Sequence, residues 1–317
     1  MNLHADSPLK IYFSGICGTA NASLAILMKN RGHEVRGSDE NIYPPMSDLL
    51  EQNQIRVDSG FHQSNLEPKP DLVVIGNALS RGNPEVEAVL SLNIPYISVS
   101  ELLKNHFIQN RRSLVVSGTH GKTTTSSLLA WVFECAGLNP GFMIGGVAEN
   151  FGSGCRDGEG NYFITEGDEY DTAFFDKRSK FLHYLPDQLI INNIEFDHAD
   201  IYENIEMIEK NFFELIKSMP SKSKVLINEK KVSKSFRNKL KKEKLKTTLQ
   251  FLSLNTSNIH EENKLLAAHA IEDLISKEKV LNGLKDYIGV KRRFETIFNN
   301  KNFKLIDAFA HHPTAIA

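Results

Sequence analysis

Ser113-Leu-Val-Val-Ser117, then Gly118-Thr-His-Gly-Lys-Thr-Thr124, then a run through Leu128, Leu129, Trp131, Val132 and Phe133 decide the fold of this chain. Read in order, they are a β-branched strand, a glycine loop and a helix with apolar residues at helical spacing. Such a loop can turn backbone N–H groups onto phosphate oxygens only where no Cβ blocks the approach. The helix that follows points its positive end at the same anion. Lys122 adds a mobile charge for the β- and γ-phosphates, and the Thr123 hydroxyl is a Mg²⁺ ligand of the usual kind. The longer phosphate-loop pattern has one more glycine, where this chain has Val116. The match is therefore to the short form Gly-x-x-Gly-Lys-Thr, strengthened by the strand before it and the helix after it.

The 317 residues suggest two domains or a little more. A formal net charge of −2 gives no reason to expect nucleic acid or an acidic membrane surface as a partner. No apolar run is long enough to span a bilayer, so no membrane segment is expected. The first residues, Met1-Asn-Leu-His-Ala-Asp-Ser-Pro8, have neither a basic start nor an apolar stretch, which reads as no signal peptide and a cytoplasmic location. Cys17, Cys135 and Cys155 are odd in number and far apart, and read as reduced thiols rather than a metal pattern.

Upstream of the loop the pattern is a small β-α-β. Ile11-Tyr-Phe13 is a strand, Ser14-Gly-Ile-Cys-Gly-Thr19 a tight turn, and Ala22 to Lys29 a helix stopped near Gly32. A second strand ends at Asp39, 21 residues past Gly18, about where a dinucleotide-type fold places a ribose-binding acid. A structural β-α-β without ligand has the same look. Leu72-Val-Val-Ile75 is a buried-type strand running into Gly76-Asn-Ala-Leu-Ser-Arg-Gly-Asn-Pro84, a polar loop at the end where open parallel sheets bind ligands. Another strand at Pro95–Ser98 and a helix from Glu101 to Phe107 lead to the polar link Gln109-Asn-Arg-Arg112, where a domain boundary is expected.

Downstream, Pro140 to Val147 reads as a glycine-rich loop. Phe163-Ile-Thr165 is a strand ending in Glu166-Gly-Asp-Glu-Tyr-Asp171, and four carboxylates so close repel one another unless cations or donors sit among them. In a phosphate-loop fold, an acid at the next strand end commonly completes the Mg²⁺ site. Leu189-Ile-Ile-Asn-Asn193 is a further strand, ending in Ile194-Glu-Phe-Asp-His-Ala-Asp200. His198 there reads equally as a structural histidine or as a metal or substrate ligand. The lysine-dense stretch from Lys230 to Lys246 reads as a solvated amphipathic helix without a binding role.

Several of these stretches together resemble the Mur ligase family. They are Gly15-Ile-Cys-Gly-Thr19, Tyr43-Pro-Pro-Met-Ser47, Gly76 to Pro84, Gly118 to Thr125, Pro140 to Gly152, Asp168 to Phe181 and Asn192 to Asp200. The resemblance implies three α/β domains. A Rossmann-like UDP-sugar-binding domain covers 1–109, and a central P-loop ATP-binding domain with a mostly parallel sheet covers 110–295. Residues 296–317 are a stub of a truncated, Rossmann-like C-terminal domain that binds the incoming peptide. It implies an ATP-dependent, Mg²⁺-assisted amide ligase working through an acyl phosphate. The Asp168–Phe181 run points to the branch that joins UDP-N-acetylmuramate to L-Ala-γ-D-Glu-meso-diaminopimelate in peptidoglycan recycling. The branch that adds L-alanine to UDP-N-acetylmuramate is the nearest alternative, and a folylpolyglutamate synthetase-like enzyme a remote one.

Carried over from the family, Gly118, Thr119, His120, Gly121, Lys122, Thr123, Thr124, His260 and Arg293 would bind ATP. Thr123, Glu166 and His198 would hold metal. Lys122, Glu166, His198 and Arg293 would serve catalysis. Gly15, Gly18, Asp39, Asn77, Ser80, His120 and Arg178 would line the UDP-sugar site. Where some members carry a carbamylated lysine, 15 residues after the motif histidine, this chain has Phe213, as in the muramate-using branch. Two departures stand out. The family's adenine motif, His-Asn-x-x-Asn, appears as His260-Glu-Glu-Asn-Lys264, and its ribose-binding aspartate as Ala308. With the third domain missing beyond its first strand, the expectation is that the chain alone does not complete ligation, or that a partner chain supplies the domain. A non-catalytic nucleotide-sugar-binding remnant is the reading from another class.

Overall fold

Ile11-Tyr-Phe13 and Leu72-Val-Val-Ile75 are apolar at nearly every position, the pattern of strands covered on both faces. In the computed structural model, which describes residues 7–197, 202–256 and 258–308, these stretches are central strands of a parallel sheet. That sheet has the order β3-β2-β1-β4-β5, built from β1 (Lys10–Ser14), β2 (Glu34–Asp39), β3 (Arg56–Ser59), β4 (Leu72–Ile75) and β5 (Tyr96–Ser98). The direction of winding changes between β1 and β4, so the turns after those two strands open side by side. Helices α1 (Thr19–Asn30), α2 (Met46–Gln52) and α3 (Pro84–Ser91) connect strands of the sheet, and α4 (Val99–Leu103) follows β5.

Local chemistry sets the helix ends. Gly32, at φ 89°, closes α1 by donating its N–H to the Lys29 carbonyl. The Asn83 side chain accepts from the N–H groups of Glu85 and Val86, with Pro84 at the first helical position of α3. Ser98 and Glu101 form a capping box on α4. The helix expected from Glu101 to Phe107 starts earlier, at that cap, and passes into a π-helical turn over Lys104–Ile108.

The second unit is organised by β6 (Arg112–Ser117) and α5 (Lys122–Cys135), followed by β7 (Gly141–Ala148), β8 (Ser153–Arg156) and β9 (Tyr162–Gly167). The chain then makes the hairpin β10 (Asp171–Ala173) and β11 (Asp176–Ser179). Tyr170–His183 groups with the described residues up to His106; Phe107–Glu169 groups with the chain from Tyr184 onward. Phe174 and Phe175 anchor the hairpin on the core of the first unit beside Val73, Val86 and Val89.

The second unit continues with β12 (Gln188–Ile191), α6 (Ile205–Ser218), β13 (Lys224–Asn228), α7 (Lys234–Lys242), β14 (Thr248–Leu252), α8 (Ile259–Ala270) and α9 (Lys277–Lys285). Its sheet runs β14-β13-β12-β6-β9-β7-β8, parallel except where β8 pairs antiparallel at the edge. The phosphate-loop strand β6 therefore lies between β12 and β9, and all three end on the same side. Leu128, Leu129, Val132 and Phe133 of α5 pack in one core with Val116, Ile164 and Ile190 of the sheet and Leu266 and Ile271 of the α8 end.

Two expectations are corrected. The Pro140–Val147 stretch is a strand, β7, not a loop. Its glycines serve close approach: a Cβ on Gly141 would stand 2.2 Å from the Asp157 carbonyl oxygen, and one on Gly145 3.2 Å from Glu166 Oε1. In sequence the apolar stretch 303–306 reads as a strand without a sheet of its own; the structure gives it a partner. Residues 304–306 belong to β16 (Lys304–Ala308), which pairs antiparallel with β15 (Arg293–Asn299), and the Asn300 side chain closes the turn by accepting from the N–H groups of Asn302 and Phe303. The three cysteines are free thiols. Among the described residues no helix is long and apolar enough to cross a membrane.

Candidate active site at the phosphate loop

Gly118 (φ 131°) and Gly121 (φ 80°) both adopt backbone that side chains resist. A Cβ on Gly118 would lie 2.6 Å from the Asn193 carbonyl oxygen; one on Gly121 would lie 2.6 Å from Asn192 Nδ2 and from Asn263 Oδ1. The loop is thus seated on the chain leaving β12. Asn193 grips one residue of it twice: its Oδ1 accepts from the His120 N–H at 2.8 Å, and its Nδ2 donates to the His120 carbonyl at 3.1 Å. Asn192 Nδ2 donates to Thr125 Oγ1 at 3.0 Å and to Asn263 Oδ1 at 3.3 Å. The Glu195 N–H donates to Thr119 Oγ1 at 2.9 Å, and His120 Nε2 stands 3.4 Å from Glu195 Oε2.

Three side chains then converge where α5 begins. Thr123 Oγ1 donates to Glu166 Oε2 at 3.2 Å, and Arg293 Nη2 donates to the same hydroxyl at 3.3 Å. Glu166 Oε1 accepts from the Gly145 N–H at 2.6 Å. Lys122 Nζ donates to the Gly118 carbonyl at 2.8 Å and stands 3.6 Å from both Asp168 Oδ1 and Glu169 Oε2. Here is the cation that the acidic run at the end of β9 requires. Burial works against the Lys122 ammonium, but Glu169, Asp168 and Glu166 outweigh it and hold its pKa above the ordinary lysine value. Burial, and then Asp168, push the Glu166 carboxyl above the usual carboxylate range, against the Gly145 N–H, Lys122 and Thr123. Glu166 is a carboxylate short of positive charge with a hydroxyl oxygen beside it. That all-oxygen donor set suits a hard divalent cation such as Mg²⁺.

The structure thus brings Gly118, Thr119, His120, Gly121, Lys122, Thr123, Glu166 and Arg293 into one site. Thr124 lies one residue on along α5, and its carbonyl accepts from Tyr287 at 3.4 Å. His260 opens α8 on the exposed side, with its N–H given to the Asn258 cap. Glu261 and Lys264, which replace the motif asparagines, pair with each other there at 3.4 Å. The residue of α8 that meets the phosphate loop is Asn263, which sequence reasoning passed over along with the seating role of Asn192, Asn193 and Glu195. Amides at a strand end have no periodicity to reveal them; only the strand-end position itself was visible. His198 lies outside the described residues.

In the first unit, Gly15 (φ 82°) and Ile16 both donate their N–H groups to the Ser38 carbonyl at 2.9 Å. Cys17 donates its N–H to Asp39 Oδ2 at 2.9 Å, and Gly18 caps α1. The Gly76 N–H bonds the Ser14 carbonyl at 3.0 Å, which ties the loop after β4 to the turn after β1. Asn77 and Ser80 are exposed on that loop. Gly15, Gly18 and Asp39 are therefore together, with the Asn77–Ser80 loop beside them. Arg178 is on β11, paired with Asp176 through Nη2 at 2.6 Å.

Residues 10–111 match "Mur ligase family, catalytic domain" and residues 116–278 "Mur ligase middle domain". The chain is 41% identical to the Escherichia coli (strain K12) UDP-N-acetylmuramate–L-alanyl-gamma-D-glutamyl-meso-2,6-diaminoheptandioate ligase over 97% of its own length and 74% of that protein's. It is 32% identical to the UDP-N-acetylmuramate–L-alanine ligase of Clostridium kluyveri, over 97% and 72%. The crystal structure of the UDP-N-acetylmuramate:L-alanyl-gamma-D-glutamyl-meso-diaminopimelate ligase from Neisseria meningitides superposes with a TM-score of 0.83. It is 37% identical, covering 90% of this chain and 100% of that one. With both of its units matched and its phosphate loop built as described, the chain belongs to the Mur ligase family.

Proposed function

We propose that this chain is an ATP-dependent ligase that joins the muramoyl carboxyl of UDP-N-acetylmuramate to the amine of the tripeptide L-Ala-γ-D-Glu-meso-diaminopimelate, in cytoplasmic recycling of peptidoglycan. The observation that carries the reading is the Lys122 ammonium. It is held between the Gly118 carbonyl and the Asp168 and Glu169 carboxylates, one residue from the Thr123–Glu166 pair. The Gly118–Gly121 backbone and the α5 N-terminus would cradle the ATP phosphates, with Lys122 and Arg293 meeting the charge on the β- and γ-oxygens. Mg²⁺ between Thr123 and Glu166 would neutralise charge on the transferring phosphoryl group. His198, by family resemblance, would serve a second metal.

In such a site a muramoyl carboxylate oxygen attacks the γ-phosphorus and ADP leaves. The tripeptide amine then attacks the acyl carbon and phosphate leaves. His120, whose ring faces Glu195 beside the loop, would lie at the carboxylate being activated. In the first unit, Gly15, Gly18, Asp39, Asn77 and Ser80 would take the UDP portion, and Arg178 an anionic group of the sugar nucleotide. The tripeptide is favoured over L-alanine because the diaminoheptandioate ligases are the more similar relatives, 41% against 32% identical.

An ADP-release assay with ATP and UDP-N-acetylmuramate tests this. Tripeptide-dependent turnover with L-alanine at background is expected. Turnover with L-alanine alone would favour the alanine-adding reaction, and saturable UDP-sugar binding without any ADP release would favour a non-catalytic binder.

A further inference from the structure

Glu85 is a fully buried carboxylate that the reaction above does not use. It sits in the first turn of α3, directly after the Gly76–Pro84 loop. Its Oε1 accepts from the Tyr12 hydroxyl at 2.9 Å and from Asn65 Nδ2 at 2.8 Å. Its Oε2 accepts from the Ser14 and Ser38 hydroxyls, both at 2.7 Å. An ionised carboxylate is an acceptor only, with about four lone-pair directions, and here all four are used by neutral donors.

The donors are not equivalent in place. Ser14 is the last residue of β1 and is followed by Gly15; Ser38 is followed by Asp39. The backbones of these two serines already carry the ligand loops, since the Ser38 carbonyl accepts from Gly15 and Ile16 and the Ser14 carbonyl from Gly76. One carboxylate oxygen thus fixes the two strand ends from which the Gly15–Gly18 turn and the Asp39 carboxylate project. Tyr12 and Asn65, on the other oxygen, touch neither loop in this way. Tyr12 is two residues back inside β1, and Asn65 lies in the one-turn helix Gln63–Leu66.

We propose that Glu85 is a positioning residue for the UDP-sugar site, setting the distance between the turn after β1 and the acid after β2. The proposal rests on the reading of the first unit as the UDP-N-acetylmuramate site. A polar core that serves stability alone would respond to loss of any donor; a positioning role separates the two oxygens.

The test is calorimetric binding of UDP-N-acetylmuramate to the full chain, with melting temperatures, for wild type, Glu85→Gln, Ser38→Ala and Tyr12→Phe. Glu85→Gln and Ser38→Ala are expected to weaken binding about tenfold. Tyr12→Phe, which also removes one hydrogen bond to Glu85, is expected to lower the melting temperature with Kd within about twofold of wild type. Unchanged affinity in Glu85→Gln, or affinity lost in all three variants in proportion to melting temperature, overturns the positioning role while wild-type binding keeps the UDP-sugar reading. No binding by wild type overturns both. If Glu85→Gln does not fold, the contrast between Ser38→Ala and Tyr12→Phe still decides.

Discussion

The Thr123 hydroxyl donates to the Glu166 carboxylate across 3.2 Å, joining the first turn of α5 to the end of β9. Two neighbouring strands of the sheet thereby deliver a phosphate loop and a metal-type acid to one point. Glu166→Gln keeps the shape and removes the charge. The expected result is a loss of kcat on the order of 10²–10³-fold, about 3–4 kcal/mol of transition-state stabilisation. The ligand-free melting temperature should not fall, because an amide is cheaper to bury than a carboxylate pressed by Asp168. A variant with lower melting temperature and unchanged kcat would assign Glu166 to the scaffold.

Lys122 carries a double role. Sequence alone suggests that Lys122→Ala abolishes ATP binding without cost in stability, as for any loop lysine. The structure argues otherwise, since its side chain is 15% exposed and faces Glu169, which is 2% exposed. Removing the cation takes away the ammonium that stands 3.6 Å from that acid. A cost of about 2 kcal/mol is expected, less than for a fully buried contact pair because Asp168 is 39% exposed and the separations are 3.6 Å. Thermal melts and nucleotide binding on Lys122→Ala measure both effects; a melting temperature equal to wild type would return Lys122 to a purely ligand-binding role.

The two loop glycines should respond unequally to a methyl group. A Cβ on Gly118 meets the Asn193 backbone, which cannot yield, whereas on Gly121 it meets the ends of the Asn192 and Asn263 side chains, which can turn away. Both positions also carry positive φ, a strain of roughly 1–3 kcal/mol for alanine. Gly118→Ala is expected to be the more destabilised in chemical denaturation and the weaker in ATP affinity. The reverse order would mean that the Asn192–Asn263 contact is stiffer than the backbone.

How far the sequence reaches can be judged on these same residues. The strand before Gly118 and the helix after Lys122 were legible because their signals are local: β-branched runs, a glycine pair, helical spacing. The acids from Glu166 to Asp171 were legible as an electrostatic problem, but the answer, Lys122, comes from a neighbouring strand end and only the parallel pairing of β6 with β9 reveals it. Pro140 to Val147 reads as loop because glycine disfavours strands. The packing of Asp157 and Glu166 against that strand requires glycine, and tertiary contact overrides propensity. Asn193 and Asn263 act through amide contacts across the fold, which leave no pattern in the order of residues. The Asp168–Phe181 run stands out in the sequence as distinguishing, but the grouping of its hairpin with the first unit depends on where Phe174 and Phe175 find apolar cover.

That hairpin gives the last prediction. Asp176 receives Arg178 Nη2 at 2.6 Å and Nε at 2.9 Å, and lies 3.1 Å from His183 Nε2. The Arg178 hydrogen bonds hold its carboxyl down to about 2, with burial opposing them. His183 is pushed below its ordinary value by burial, with Asp176 pulling the other way. The sign follows from linkage. An acid whose folded value lies below the unfolded one, near 4, contributes stability that is complete above about pH 4 and is lost as the pH falls toward 2. Asp176→Asn should therefore lower the melting temperature equally at pH 7 and pH 5. Because Arg178 is 63% exposed, the size should be about 1 kcal/mol or less, on the order of 2–4 °C. The gap between variant and wild type should close below pH 4. Melts at pH 7, 5 and 3 measure it. A gap that changed between pH 7 and 5 instead would place the stabilisation in protonation of His183, the one group of the three whose ordinary value lies in that window.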